Sequence, residues 1–175
     1  FGKKAESFKL KSINNELISL NDVKGEKATL IMFICNHCPY VKAIIKDLTK
    51  DCEDLKKEGI NSVAIMSNDV ENYPEDSFEN MISFAKSNNF GDLNYLIDET
   101  QEIAKKFGAV CTPDFFGYNN ALELQYRGRF KELKDLKPLD NNDSDLKLAM
   151  KKIAKNQKSP DVQIPSMGCS IKWFN

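Results

Sequence analysis

The chain has 175 residues, 41% hydrophobic and 29% charged, with 25 Lys and Arg set against 26 Asp and Glu. That length suits one domain with a full-sized core. A formal net charge of −1 excludes a broad basic field for nucleic acid or an anionic membrane, and no apolar run approaches the ~20 residues of a spanning helix.

Phe1-Gly2-Lys3-Lys4-Ala5 has neither Met nor the apolar core of a signal peptide. Phe8-Lys9-Leu10 and Leu17-Ile18-Ser19-Leu20 flank Asn14-Asn15, which predicts an N-terminal hairpin. Ala28 to Ile34 is an apolar run of buried-strand length. Val41, Ile44, Ile45 and Leu48 then recur at helical spacing, predicting a helix from about Pro39 to Lys57, stopped by Gly59. Ile60 to Met66 reads as a second buried strand. Beyond a loop through Tyr73-Pro74, Phe78, Met81, Ile82 and Ala85 are expected to share a helix face. Leu93 to Ile97 is a short strand, and Thr100 is placed to cap a helix reaching Phe107. Phe115 to Tyr118, Asn119-Asn120 and Leu122 to Tyr126 form a final hairpin, followed by a helix from about Ser144 to Lys155. This order predicts an α/β fold: a central mixed sheet flanked by helices, parallel in its first half with an antiparallel edge. A single domain over 1–175 is expected, with 157–175 an irregular C-terminal tail.

The chemistry centres on Ile34-Cys35-Asn36-His37-Cys38-Pro39-Tyr40. A buried strand delivers a C-x-x-C pair to a helix start, the arrangement of a thioredoxin-like redox site. Thiol–disulfide exchange needs an accessible thiolate and a second thiol close enough to resolve the mixed disulfide. Cys35 is expected near the N-cap, where unpaired N–H groups and the helix dipole favour its anion, with Cys38 on the same face. His37, the one histidine of the chain, either adds positive charge beside the pair or is simply exposed. Such surroundings lower a cysteine pKa from ~8.5 into the ~3.5–7.5 range. Pro39 distorts the first turn.

Five cysteines at wide, unequal gaps argue against a secreted disulfide scaffold and for a cytoplasmic protein, leaving room for a leader removed before Phe1. The competing use of C-x-x-C is half a zinc site, which wants a second closely spaced pair. Cys52, Cys111 and Cys169 stand alone, so no cofactor or metal is assigned.

Val110-Cys111-Thr112-Pro113-Asp114 is the second constellation. In thioredoxin-like proteins a cis-proline faces the dithiol and presents backbone for substrate pairing. Pro113, preceded by Thr112, is the candidate, because only X–Pro bonds adopt cis cheaply. Cys111 is read equally as an extra redox thiol or a small buried apolar residue. Arg127, in Arg127-Gly128-Arg129, either aims a guanidinium at a thiolate or oxyanion or is a surface charge at a turn. Cys169 either resolves a disulfide or packs against the body with Trp173. Cys52, between Asp51 and Glu53, is expected to be inert.

Cys35-Asn36-His37-Cys38-Pro39-Tyr40-Val41, Cys111-Thr112-Pro113-Asp114-Phe115-Phe116, Tyr126-Arg127-Gly128-Arg129 and Pro165-Ser166-Met167-Gly168-Cys169-Ser170-Ile171-Lys172-Trp173 resemble the peroxiredoxin-like thioredoxin-family proteins. That group belongs to the alkyl hydroperoxide reductase/thiol-specific antioxidant (redoxin) superfamily. The resemblance runs from about Phe8 to Trp173. It implies a thioredoxin fold with an N-terminal β-hairpin extension and a thiol-based oxidoreductase or antioxidant activity. One departure stands out. True peroxiredoxins place Pro and Thr or Ser seven and three residues before the peroxidatic cysteine, and counting back from Cys38 those positions hold Ile31 and Cys35.

The expected function is therefore a thiol–disulfide oxidoreductase in which Cys35 attacks, Cys38 resolves, His37 tunes the pair and Pro113 backbone positions the partner. A thiol peroxidase, with Arg127 stabilising the thiolate, is the alternative. A non-catalytic zinc- or partner-binding module is the second. Expected partners are a protein or small-molecule disulfide or peroxide and a thiol reductant system, with no nucleic acid or membrane. The oligomeric state is left open.

Overall fold

The computed structural model describes all of residues 1–175. The expected hairpin forms from β1 (Lys9–Ser12) and β2 (Leu17–Ser19), Lys9 opposite Ser19, with Asn15 in the left-handed region at φ 62° in its turn. A single-turn helix that the sequence pattern did not indicate, α1 (Leu20–Val23), follows. Ser19 caps it, accepting the Asp22 N–H while the Asp22 carboxylate accepts the Ser19 N–H at 2.8 Å.

The main sheet has seven strands. β3 (Ala28–Phe33), β4 (Ile60–Met66) and β5 (Asn94–Ile97) run parallel, in keeping with their mainly apolar sequences. β7 (Asp114–Asn119) pairs antiparallel with β3, and β8 (Leu124–Gly128) forms the edge beyond it. The spatial order is β2-β1-β5-β4-β3-β7-β8, so the N-terminal hairpin extends the opposite edge. β8 starts two residues later than the periodicity suggested, because Leu122 sits at φ 59° in the turn.

Side chains of β3 alternate between two cores. Leu30 and Met32 point to a layer built from α2 (Pro39–Lys56), α3 (Phe78–Ser87) and α5 (Asp145–Asn156). Ile31 and Phe33 point to a smaller layer containing α1 and α4 (Glu102–Phe107). Val41, Ile44, Ile45, Leu48 and Leu55 of α2 are buried, each contributing about 1.5–3 kcal/mol. The helix ends as expected, with Gly59 at φ 78°.

Two helix expectations fail for local reasons. Ile82 is exposed; α3 buries only Met81 and Ala85 fully. Thr100 accepts the Glu102 N–H at 3.3 Å but is not the N-cap of α4: Gln101 occupies that position in the left-handed region, and the buried Asp98 carboxylate accepts the N–H groups of Ile103 and Ala104 at 3.3 and 2.9 Å. A short hairpin, β9 (Leu133–Lys134) with β10 (Lys137–Pro138), lies between the last sheet strand and α5. The tail is more ordered than expected: β11 (Cys169–Ser170) pairs antiparallel with β6 (Cys111–Thr112). No helix is long and apolar enough to cross a membrane.

Candidate functional site

The C-x-x-C pair leaves the C-terminal end of β3 and enters α2, where loops at strand ends commonly build binding sites in α/β sheets. Cys38, not Cys35, is the N-cap of α2, with Pro39 as the first helical residue. The reason is local. Pro39 disfavours helical geometry at the residue before it, and Cys38 accordingly adopts φ −67°, ψ 125°.

The two sulfurs meet at the expected partner. Thr112–Pro113 is a cis peptide. Cys35 Sγ lies 3.4 Å from Thr112 Oγ1, and Cys38 Sγ lies 3.3 Å from the Thr112 carbonyl oxygen. A third sulfur completes the group, because Cys169 Sγ is 2.9 Å from Cys38 Sγ. Contrary to the expected opening to solvent, Cys35 and Cys38 are both 0% exposed. The C-terminal segment packs against Cys38 through Cys169.

The surroundings of the two sulfurs differ from the expectation that Cys35 carries the anion. Cys38 is drawn down to about 4, first because the Cys35 thiol donates to it; burial opposes this, while the Cys169 thiol and the Val41 and Cys169 N–H groups add to it. Cys35 is pushed above the ordinary thiol range, first because it is that donor, then by burial and by the nearby Asp76 charge. Both shifts favour the anion on Cys38 over Cys35.

Asp76 is the functional residue that periodicity missed. It is fully buried at the end of a 3-10 turn, Pro74–Asp76, between β4 and α3. Its Oδ1 accepts the Asn36 N–H at 2.8 Å and its Oδ2 accepts from Asn68 Nδ2 at 3.0 Å. Asn36 is further pinned by Tyr95, whose buried hydroxyl donates to Asn36 Oδ1 at 2.8 Å. His37 turns towards this carboxylate, with Nδ1 2.6 Å from Oδ2 but off the line a hydrogen bond needs. Its ring stacks on Tyr73 at 5.8 Å. The only signal in the sequence was Asp76's place in a loop following a parallel strand.

A sulfur of Cys35, a ring nitrogen of His37 and an oxygen of Asp76 lie within 4.8 Å of one another, the donor types zinc accepts. Tetrahedral ligands at ~2.0 Å would stand about 3.3 Å apart, wider than the 2.6 Å between His37 and Asp76. That spacing is too tight for two ligands of one zinc ion.

Other candidates separate cleanly. Arg127 is not directed at the thiols: it holds Asp114 at 3.0 Å and the Gly108 carbonyl at 2.9 Å, and stacks over Phe116, which belongs to the opposite core layer. Cys111 is pushed up to about 12 by burial and then by Asp114, which favours its apolar reading. Cys52 is likewise held at about 12, with burial the main cause and Asp51 minor.

A three-layer sheet with a dithiol at a helix start opposite a cis-proline defines a thioredoxin-like protein. The thioredoxin domain of a thiol-disulfide oxidoreductase from Bacteroides vulgatus superposes with TM-score 0.60 at 16% identity, covering 72% of this chain and 86% of that one. The chain belongs to the AhpC/TSA family, whose model matches residues 1–131. It is similar over 99% of its length to an uncharacterized conserved protein from Geobacillus kaustophilus, at 41% identity, TM-score 0.93 and 92% coverage of that chain. A hypothetical protein from Sinorhizobium meliloti 1021 matches over 99% of this chain and 94% of its own, at 36% identity and TM-score 0.90. No curated protein matches the chain.

Proposed function

We propose that the protein is a thiol–disulfide oxidoreductase whose attacking group is the Cys38 thiolate. The observation that carries this reading is the Cys38 sulfur at the N-cap of α2, drawn to its anion by a thiol donor and N–H groups, with further thiols in reach. Cys38 attacks one sulfur of a substrate disulfide, forms a mixed disulfide and expels the other sulfur as a thiolate, which takes a proton from solvent. A second thiolate of the protein then attacks Cys38 Sγ and releases the reduced substrate. Cys35 supplies the proton-donating contact that holds the anion, and Asp76 and Asn36 hold the loop that positions it. An external thiol system resets the pair.

Reduction of insulin and of glutathione disulfide tests this. Cys38→Ser should lose both activities at least a hundredfold, because a hydroxyl does not replace a thiolate as nucleophile; unchanged rates in that variant would remove the proposal.

Burial of both sulfurs favours one second reading, reduction of small hydroperoxides, since a molecule of that size needs less opening than a polypeptide. Cys38 would then gain the hydroxyl of the peroxide as a sulfenic acid, releasing the alcohol or water. Cys35 stands where a hydroxyl would orient the peroxide, which weighs against it. Stopped-flow mixing with hydrogen peroxide decides: a rate no faster than a free thiol rejects it.

A further inference from the structure

Gly168 to Ile171 lies across β6 in the manner of an added strand. Cys169 pairs with Thr112 and Ser170 with Cys111, in antiparallel register, and the Ile171 N–H donates to the Val110 carbonyl at 3.1 Å. This is the backbone edge beside cis-Pro113, which an extended substrate would use. The approach is close: a Cβ on Gly168 would stand 2.1 Å from the Thr112 carbonyl oxygen. Ser166 Oγ donates to the Pro113 carbonyl at 2.7 Å. Downstream, the Lys172 N–H donates to Asn68 Oδ1 at 2.9 Å, and the buried Gln101 side chain joins Lys172 and Phe174 at 2.9 and 3.0 Å. Asn68 also donates to Asp76, so the tail is tied to the dithiol loop. A cysteine in an added strand, with its sulfur 2.9 Å from the Cys38 sulfur, is where a substrate's cysteine would be.

We propose that Gly168–Ile171 is docked as an intramolecular substrate strand, that Cys169 is the thiol that resolves Cys38, and that this segment limits which disulfides the site accepts. The proposal rests on the oxidoreductase reading and specifies it. With glutathione disulfide as oxidant, the Cys38 thiolate attacks one sulfur, forming a Cys38–glutathione disulfide and expelling glutathione thiolate. That thiolate takes the Cys169 proton. The Cys169 thiolate then attacks Cys38 Sγ and expels the second glutathione, which is protonated from solvent. Two protein thiols lose two electrons, and one glutathione disulfide becomes two glutathione thiols.

Cys169 is better suited than Cys35 to the second step. Its pKa is held at about 11, first by burial and then by the adjacent Cys38 thiol contact and charge. Formation of the mixed disulfide removes that charge, and Lys172 favours the Cys169 anion. Cys35 still faces the buried Asp76 charge. While the strand is docked, the β6 edge is taken and the Cys38 sulfur is covered, so a polypeptide disulfide must displace the whole strand whereas a small disulfide needs only a local opening at the sulfur.

The test is to treat reduced, full-length protein with one equivalent of glutathione disulfide, quench with acid, alkylate and map the peptides. Cys38–Cys169 should dominate, with Cys35 alkylated. A dominant Cys35–Cys38 disulfide with Cys169 alkylated would overturn the proposal while leaving the oxidoreductase reading in place; undiminished turnover by Cys38→Ser would overturn both. In Cys169→Ser the Cys38–glutathione adduct should persist at least tenfold longer, and an unchanged lifetime counts against resolution by Cys169. Gly168→Ala should raise the ratio of insulin to glutathione disulfide reduction severalfold; an unchanged ratio removes the substrate-limiting role.

Discussion

Asp76 Oδ1 accepts the backbone N–H of Asn36 at 2.8 Å, joining the C-x-x-C loop to a turn forty positions further along the chain. The carboxylate has no exposure and is surrounded by donors from Asn36 and Asn68, with His37 beside it. Asp76→Ala leaves those buried donors without an acceptor at about 1–3 kcal/mol each. Thermal melting should fall by several degrees. Asp76→Asn keeps an acceptor and should cost less. By removing the charge that holds Cys35 up, it should also make Cys35 easier to alkylate. Equal melting temperatures for wild type and Asp76→Ala would refute the account.

Removing the Cys35 donor should loosen the hold on the Cys38 anion. A hydrogen bond to a charged group contributes about 1.5–3 kcal/mol, so Cys35→Ala should raise the Cys38 pKa by roughly one to two units. Thiolate absorbance followed against pH measures it. No upward movement would mean that Cys35 is not the group stabilising the anion.

The pH profile of Cys38 itself has a definite sign. The folded value of about 4 lies below the ordinary 9.0, so between them the unfolded chain binds more protons at this sulfur than the folded one. Folded stability should therefore rise with pH across that window, and the advantage should vanish as pH falls through the folded value. Iodoacetamide labelling of Cys38 in reduced protein, read by peptide mapping, should stay nearly flat from pH 8 to pH 6, where a free thiol of pKa ~8.5 slows steeply. Labelling that tracks a free thiol would contradict the assignment.

Tyr95→Phe tests the tie between core and site. It removes the hydroxyl that donates to Asn36 Oδ1 and leaves that buried acceptor unpaired, at a cost of about 1–3 kcal/mol. Denaturant unfolding should register the loss, and disulfide exchange should slow as the loop loses its anchor. A variant as stable as wild type would show that Asn36 is held without Tyr95.

Much of the architecture was legible in advance because it depends on local period. Ala28 to Ile34 is apolar at every position but Thr29, and Ile60 to Met66 at every position but Asn61 and Ser62, which suits strands covered on both faces. The stripe through Val41, Ile44, Ile45 and Leu48 suits one helix face, and Thr112-Pro113 pointed to the cis bond. Ile82 is exposed and Thr100 satisfies only the Glu102 N–H because helix rotation and capping depend on what packs nearby, here the Asp98 carboxylate. The tail looked irregular because two paired residues carry no period; its pairing depends on the free edge of β6.

The sequence alone determined the layers, the delivery of two cysteines to a helix start and the proline opposite them, since each follows from neighbours within a few positions. Which sulfur its surroundings favour for the charge depends on contacts made only in three dimensions. Pro39 moves the cap to Cys38, Asp76 arrives from forty positions away, and Cys169 from 131. A pKa sums over groups near in space, and no spacing rule along a chain contains that sum.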